Sequence, residues 1–287
     1  MWIIFAFGSA VFAGMTAILA KLGIRNVDSN LATAIRTIVV LIFSCLMVFI
    51  VGSQDTLGDI NSKTVVFLVL SGVATGASWL CYFKAIQLGD VNKVAPIDRS
   101  SVVLTMILAI IFFNEAITVS KVIGIIAIGI GTLLMTYHKQ TDGKHTVSYQ
   151  WLIFAILSAV FAAFTAILAK VGIQGVESNL GTAIRTVVVL IMAWVVVFAV
   201  KKPGAIKHID NKSWLFICLS GIATGASWLC FYRALQIGPA SIVVPIDKLS
   251  IVFTVAFSFF FLKEKLLMRP FIGLVLIVGG TLGLLVS

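Results

Sequence analysis

Ten ionisable side chains stand inside long apolar stretches of this chain, and their types and spacing carry the first chemical information. They are Lys21, Arg36, Lys84, Asp98 and Arg99, followed by Lys170, Arg185, Arg233, Asp247 and Lys248. The second five repeat the first at a constant offset of 149 residues (185 minus 36, 247 minus 98). A charge held at mid-bilayer costs at least about 2.5–3.5 kcal/mol, so each of these groups needs a partner or a task. Each set holds four cations and one carboxylate, which leaves positive potential for an anionic or zwitterionic ligand. Lys21 and Lys84 stand within about a turn of their helix ends and can extend to the headgroups. Arg36 and Asp98 lie deeper, as do Arg185 and Asp247. Two readings fit these four: an ion pair that holds each half together, or direct handling of a substrate. The burial cost predicts that Asp98 pairs with Arg36 or Lys84, and Asp247 with Arg185 or Arg233.

Local sequence around the carboxylates sharpens this pattern. Pro96-Ile97-Asp98-Arg99 recurs as Pro245-Ile246-Asp247-Lys248. Proline inside a helix frees the carbonyl four residues earlier, here that of Asn92 or Ser241, and bends the axis. A bend one turn from an ionisable pair suits a gate or a binding site, although an ordinary packing kink has the same sequence. Gly72-Val-Ala-Thr-Gly76 and Gly221-Ile-Ala-Thr-Gly225 are small-residue faces that allow close helix approach. Trp79 and Trp228 follow, and serve either as interfacial anchors or as rings over a substrate. Candidate substrate-binding or gating residues are therefore Arg36, Trp79, Lys84, Pro96, Asp98, Arg99, Arg185, Trp228, Arg233, Pro245, Asp247 and Lys248.

Catalytic constellations are not visible. His138, His145 and His208 lie in or beside loops without zinc-protease or triad spacing, and there is no phosphate-binding GxxxxGK[ST] loop. The cysteines Cys45, Cys81, Cys218 and Cys230 all fall inside apolar stretches, with no CxxC or metal spacing. We therefore expect no enzyme activity, no cofactor and no metal.

The elements that must position these residues are membrane helices. Hydrophobic residues make up 60% of the chain and charged residues only 11%, and the mean hydropathy is +1.13. A soluble domain has about 25% charged residues. The net charge of +10 is not a nucleic-acid signature, because the loops lack interleaved aromatic and basic residues and much of the excess flanks apolar spans. The chain is a duplication: AILAKLG at Ala17–Gly23 returns as AILAKVG at Ala166–Gly172, and LSGVATGASWLC at Leu70–Cys81 as LSGIATGASWLC at Leu219–Cys230. Hydrocarbon about 30 Å thick needs about 20 apolar residues per crossing. Five spans fit each copy, at about 2–24, 29–51, 64–88, 91–113 and 119–138, then 151–173, 178–200, 213–237, 240–262 and 268–286. The expected fold is an all-α membrane protein of ten transmembrane helices, arranged as two inverted five-helix repeats. Its domains are a first repeat at 1–138, a linker loop at 139–149 and a second repeat at 150–287. Inversion follows because five is odd, so the second copy enters the membrane the other way up.

Loop charges address orientation. Connections 5–6, 7–8 and 9–10 hold Lys139, Lys144, Lys201, Lys202, Lys207, Lys212, Lys263, Lys265 and Arg269, whereas connections 6–7 and 8–9 hold no lysine or arginine. The positive-inside rule then places both termini outside. Gly129 and Gly131, with Gly279 and Gly280, suggest a further close contact between the halves.

Two five-helix copies, a proline early in each fourth helix, Glu115 and Glu264 at its end, and Gly124, Gly131, Gly273 and Gly280 in the fifth helices resemble the EamA domain of the drug/metabolite transporter superfamily. The resemblance covers essentially the whole chain. It implies a ten-helix basket with a central cavity lined by helices 1, 3, 4, 6, 8 and 9, and cytoplasmic termini, opposite to the loop-charge reading. The implied function is secondary-active transport of small metabolites by alternating access, with anionic or zwitterionic compounds such as amino acids as candidates. One alternative is a proton-coupled exporter of cationic drug-like compounds using Asp98 and Asp247. Relatives of that kind use a glutamate in the first helix, where this chain has Met15 and Thr16. An alternative from another class is a non-transporting membrane assembly or sensor subunit. The partners expected are a small-molecule substrate, a coupling proton or ion and the lipid bilayer, with no nucleic acid. The protein is expected as a monomer or homodimer, multi-pass in a bacterial plasma membrane.

Overall fold

The structure is a computed structural model that describes residues 1–23, 27–88, 94, 97–136, 150–199, 209–262 and 268–285. The described residues form helices and connecting turns, with no strand among them. In chain order they are α1 (Trp2–Gly23), α2 (Ser29–Val51), a 3₁₀ segment (Ser53–Asp59), α3 (Ser62–Leu88), α4 (Ser101–Phe113), α5 (Val119–Thr136), α6 (Gln150–Ile173), α7 (Ser178–Ala199), α8 (Asn211–Ile237), α9 (Ala240–Lys248), α10 (Ser250–Leu262) and α11 (Met268–Gly283). Six of these, α1, α2, α3, α6, α7 and α8, are long and apolar enough to cross a membrane. Their outward faces present Ile42, Leu46, Phe49, Val187 and Ile191 to the surroundings, an apolar surface that hydrocarbon tolerates and water does not.

Local chemistry explains the helix boundaries. Asp28 accepts from the amides of Asn30 (3.0 Å) and Leu31 (3.2 Å) and so caps α2. Its counterpart Glu177 accepts from Asn179 (2.8 Å) and Leu180 (3.2 Å), and also from the Ser53 hydroxyl (2.8 Å). These bonds satisfy amides that a helix start leaves without a partner. Gly52 ends α2 with a left-handed backbone at φ 75°, where a side chain would be strained. The short polar segment between the second and third spans forms a 3₁₀ turn over Ser53–Asp59.

Helix packing runs mainly between the copies. α1 packs on α8 and α3 on α6; α2 meets α7, and α5 meets α11. These partnerships match in pairs under the 149-residue offset, as do α2 with α8 and α3 with α7. The equivalent helices α5 and α11 run antiparallel. A Cβ on Gly131 would stand 2.6 Å from the Gly273 carbonyl, while one on Gly124 would stand 3.3 Å from the Gly280 carbonyl. The expected glycine contact between halves is therefore present, but Gly279 has no neighbour within 4 Å and Gly129 meets only Val103 of its own copy.

The fourth span of the second copy is broken. A single helix was expected over 240–262, but α9 stops at Lys248 and α10 begins at Ser250, joined through Leu249 at φ −63° and ψ −10°. There the amide of Leu249 bonds the Ile246 carbonyl three residues back, at 2.9 Å. The first copy repeats this at Ser100, whose amide bonds the Ile97 carbonyl at 3.2 Å and whose hydroxyl bonds it at 2.6 Å. Each break directly follows the Asp-Arg or Asp-Lys pair. Leu249 and Ser100 both keep right-handed helical backbone, so each break is a local 3₁₀-type tightening, the kind of mid-helix turn that marks a hinge.

Candidate functional site: two polar layers around an interior cavity

Asp98 stands in the helical residues 97–99, just before Ser100 and α4, and Asp247 on the last turn of α9. Each carboxylate is held by the opposite copy. The Ser158 hydroxyl on α6 donates to Asp98 at 2.6 Å, and Ser9 on α1 donates to Asp247 at 2.5 Å. Both serines are fully buried and lean on a second serine: Ser158 on Ser78 at 3.3 Å, Ser9 on Ser227 at 3.2 Å. The expected pairing with arginine is corrected here. Among the described residues Asp98 makes no ion pair with Arg36 or Lys84. Asp247 makes none with Arg185 or Arg233, and meets only its neighbour Lys248 at 3.6 Å. Serine hydroxyls thus replace basic partners. Charge-assisted hydrogen bonds of this kind are short and strong, and at Asp247 they act beside the Lys248 counter-ion.

Arg185 is 2% exposed and belongs to a different network. Its Nε donates to Ser71 Oγ at 2.9 Å and its Nη2 to Thr75 Oγ1 at 2.7 Å, both on α3 of the other copy. Its guanidinium also lies 5.3 Å from the Trp228 ring centroid and 5.0 Å from that of Tyr232. Cation–π contact of this sort offsets part of the cost of removing the guanidinium from water.

Arg36, with Trp79, Tyr82, Phe83, Asp98, Arg99 and Lys248, lines a half-open cavity of about 410 Å³. A second pocket of about 260 Å³ holds Arg185, Trp228, Tyr232, Asp247 and Lys248. The two share Ser101, Val102, Ala162 and Lys248, so they are neighbouring lobes at the junction of the copies. Lys248 lines both lobes and brings a cation to their junction. Lys84 and Arg233 lie on the exposed side of their helices, Arg233 bonding Gln236 at 2.6 Å, and neither lines these two lobes. Pro245 is buried inside α9 four residues before the break at Leu249, whereas Pro96 lies outside the described residues. The glycine faces serve packing: Gly72 abuts Val188, and Gly221 abuts Val39.

A third cluster was missed by sequence reasoning. Glu115 accepts from the Ala240 amide at 2.9 Å and from the Ser241 hydroxyl, meets Lys121 at 3.3 Å and lies 3.9 Å from Lys170. Lys170 donates to the Gly238 carbonyl at 2.6 Å and stands 5.0 Å over the Phe113 ring. The cluster ties the end of α4 to the ends of α6 and α8. The available signal was an acid placed just beyond the Phe112-Phe113 run, facing a lysine that recurs in both copies.

The geometry has parallels among known proteins. The model of the EamA-like transporter family matches residues 1–137 and again residues 149–286. A protein of Sinorhizobium sp., named as an uncharacterized transporter in the cobO 3' region, is 46% identical over 136 residues, which is 47% of this chain and 96% of that protein. The uncharacterized transporter YxxF of Bacillus subtilis (strain 168) is 27% identical over 161 residues, 55% of this chain and 50% of that one. A protein known from a crystal structure shares the fold with a TM-score of 0.81 at 15% identity, covering 99% of this chain and 96% of its own.

Proposed function

The chain belongs to the EamA-like transporter family, and from that premise we propose that it is a secondary-active transporter of small anionic or zwitterionic metabolites. The observation that carries this reading is the half-open 410 Å³ cavity, in which Arg36, Arg99 and Lys248 outnumber the single carboxylate Asp98 and aromatic side chains form a wall. Its size is that of a small-molecule site. A carboxylate or phosphate would meet the cations, an ammonium would meet Asp98, and an apolar body would lie against Trp79, Tyr82 and Phe83. A cationic drug would face three positive groups with one acid to offset them, which disfavours the exporter of cationic compounds.

In this reading the protein is integral and multi-pass, with ten spans as two inverted repeats. The antiparallel course of α5 and α11 supports the inversion. The broken fourth helices supply the flexible points of alternating access, beside Asp98 and Asp247. The loop charges favour termini on the outer side of the membrane.

Uptake into liposomes reconstituted with the purified protein tests the proposal, using a mixture of radiolabelled amino acids and small carboxylates. Flux above empty liposomes is expected, falling at least tenfold in Arg36→Gln. No flux of any compound would leave the non-transporting assembly or sensor reading in its place. Flux confined to cationic compounds would instead favour the exporter.

A further inference from the structure

The two copies carry the same arginine and the same receiving hydroxyls, yet only one arginine is docked. Arg185 is bonded to Ser71 and Thr75. The equivalent set, 149 residues away, is Arg36 with Ser220 and Thr224. Among the described residues no hydrogen bond or ion pair holds Arg36, which faces the 410 Å³ cavity. Between Arg36 and Ser220 lies a separate void of about 140 Å³. Trp228 and Tyr232 lie over the Arg185 guanidinium, whereas among the described residues no ring lies over Arg36, and the counterparts Trp79 and Phe83 line the 410 Å³ cavity.

Helix spacing does not account for the difference. A Cβ on Gly72 would stand 2.7 Å from Val188, and one on Gly221 would stand 2.7 Å from Val39, so both arginine helices lie equally close to their sockets. The supporting threonine pairs match too: Thr75 and Thr165 are 3.3 Å apart, as are Thr224 and Thr16.

We propose that Arg36 and Arg185 are alternating latches between the copies. In the conformation described, Arg185 fills the socket on α3 and holds its end closed, while Arg36 is turned to the cavity and receives the substrate's anionic group. In the opposite conformation Arg36 fills the socket formed by Ser220 and Thr224 on α8, and Arg185 turns to the substrate. This deepens the transport reading and rests on it, but its test does not need a known substrate.

The test uses a background free of native cysteines and two reporters at equivalent positions. Thr33 lines the open cavity, and Thr182 is fully buried. Maleimide labelling of Thr33→Cys should be fast and of Thr182→Cys slow. Removing the filled socket with Ser71→Ala/Thr75→Val should speed labelling at position 182 about tenfold and slow it at position 33, because charge-assisted bonds of the closed end are lost. Removing the vacant socket with Ser220→Ala/Thr224→Val should shift labelling the other way. That second variant loses only the Thr16 contact among the described side-chain partners and keeps the test alive if the first fails to fold. In it, labelling at position 182 should fall further and the melting temperature should hold. Labelling that does not change, or that moves in the same direction in both variants, overturns the exchange. Absent flux with opposite labelling shifts would end the transport reading and leave the exchange standing.

Discussion

Replacing Glu115 by Gln probes the ion cluster with the smallest change of shape. The carboxylate side chain is 10% exposed, and the lysines that face it, Lys121 and Lys170, are 7% and 9% exposed. The amide oxygen of glutamine can still accept from the Ala240 amide, and its NH2 can donate to the Ser241 hydroxyl in place of the present bond, so both contacts can be kept. What is lost is the only negative charge among the described groups facing two buried ammonium groups. Removing one partner of a buried ion pair costs about 3–5 kcal/mol. Lys170 keeps its bond to the Gly238 carbonyl, which argues for the lower end, about 3 kcal/mol. For a chain of this size about 1 kcal/mol moves the melting temperature by about 2–4 °C, so a fall of about 6–12 °C is expected. Thermal unfolding in detergent, followed by intrinsic fluorescence, measures it. A Glu115→Gln/Lys121→Met/Lys170→Met variant should recover part of the loss, because the uncompensated cations go as well. If Glu115→Gln melts within about 1 °C of the wild type, or if the triple variant is no better than the single, the reasoning from unpaired charge is refuted.

Further outcomes are expected elsewhere. Gly273→Ala would put a Cβ 2.6 Å from the Gly131 carbonyl and 2.8 Å from the Met135 amide, and should cost about 1–3 kcal/mol, whereas Gly279→Ala meets open space and should change stability by less than about 0.5 kcal/mol; melting curves of both decide it. Ser158→Ala and Ser9→Ala each strip a hydroxyl from a carboxylate, and each should lower liposome uptake and cost about 1.5–3 kcal/mol in the same melts. Asp210 caps α8, and its hydrogen bonds to Ser213 hold its carboxyl below the usual range. A depressed carboxylate stabilises above its unfolded pKa and loses that contribution as pH falls through its folded value, so Asp210→Asn should flatten this part of the acid limb in pH-dependent melts. For orientation, an impermeant thiol reagent on intact cells should label Gln174→Cys and spare Lys202→Cys; the reverse pattern would place the termini in the cytoplasm.

Much of the scaffold was legible because hydrophobic length and a repeat are strong signals. The boundaries expected for α2, α3, α6 and α7 agree with the structure to within two residues at each end. Arg36, Trp79, Asp98, Arg99 and Lys248 were picked from the repeat and do line one cavity. The pairing was not legible. A cost of burial says that Asp98 needs a partner but not which one, and a serine on α6 is invisible as a partner until α6 is known to run beside it. Breaks at Ser100 and Leu249 were foreshadowed by proline, but proline marks where a bond is lost, not where the neighbouring turns re-form. Glu115 was read as a family feature at a helix end, since its contacts with Ala240 and Lys170 exist only once the copies interleave.

That interleaving has a consequence for how the chain is made. α1, α2, α3 and α5 each find their main partner in the second copy, so the first copy emerges from the ribosome with its contact faces unsatisfied. Synthesis at about 5–20 residues per second leaves that interval at roughly ten to thirty seconds. During it, Ser9, Ser71 and Gly131 face either lipid or a neighbouring nascent chain. The nearest complementary surface in a crowded membrane belongs to another copy of the same protein. Translation rate and insertion chaperones, rather than final stability alone, therefore govern whether the two halves of one molecule meet or are exchanged between two. Slowing the ribosome between the halves should raise the share of intertwined dimers, while the finished monomer's melting temperature stays the same.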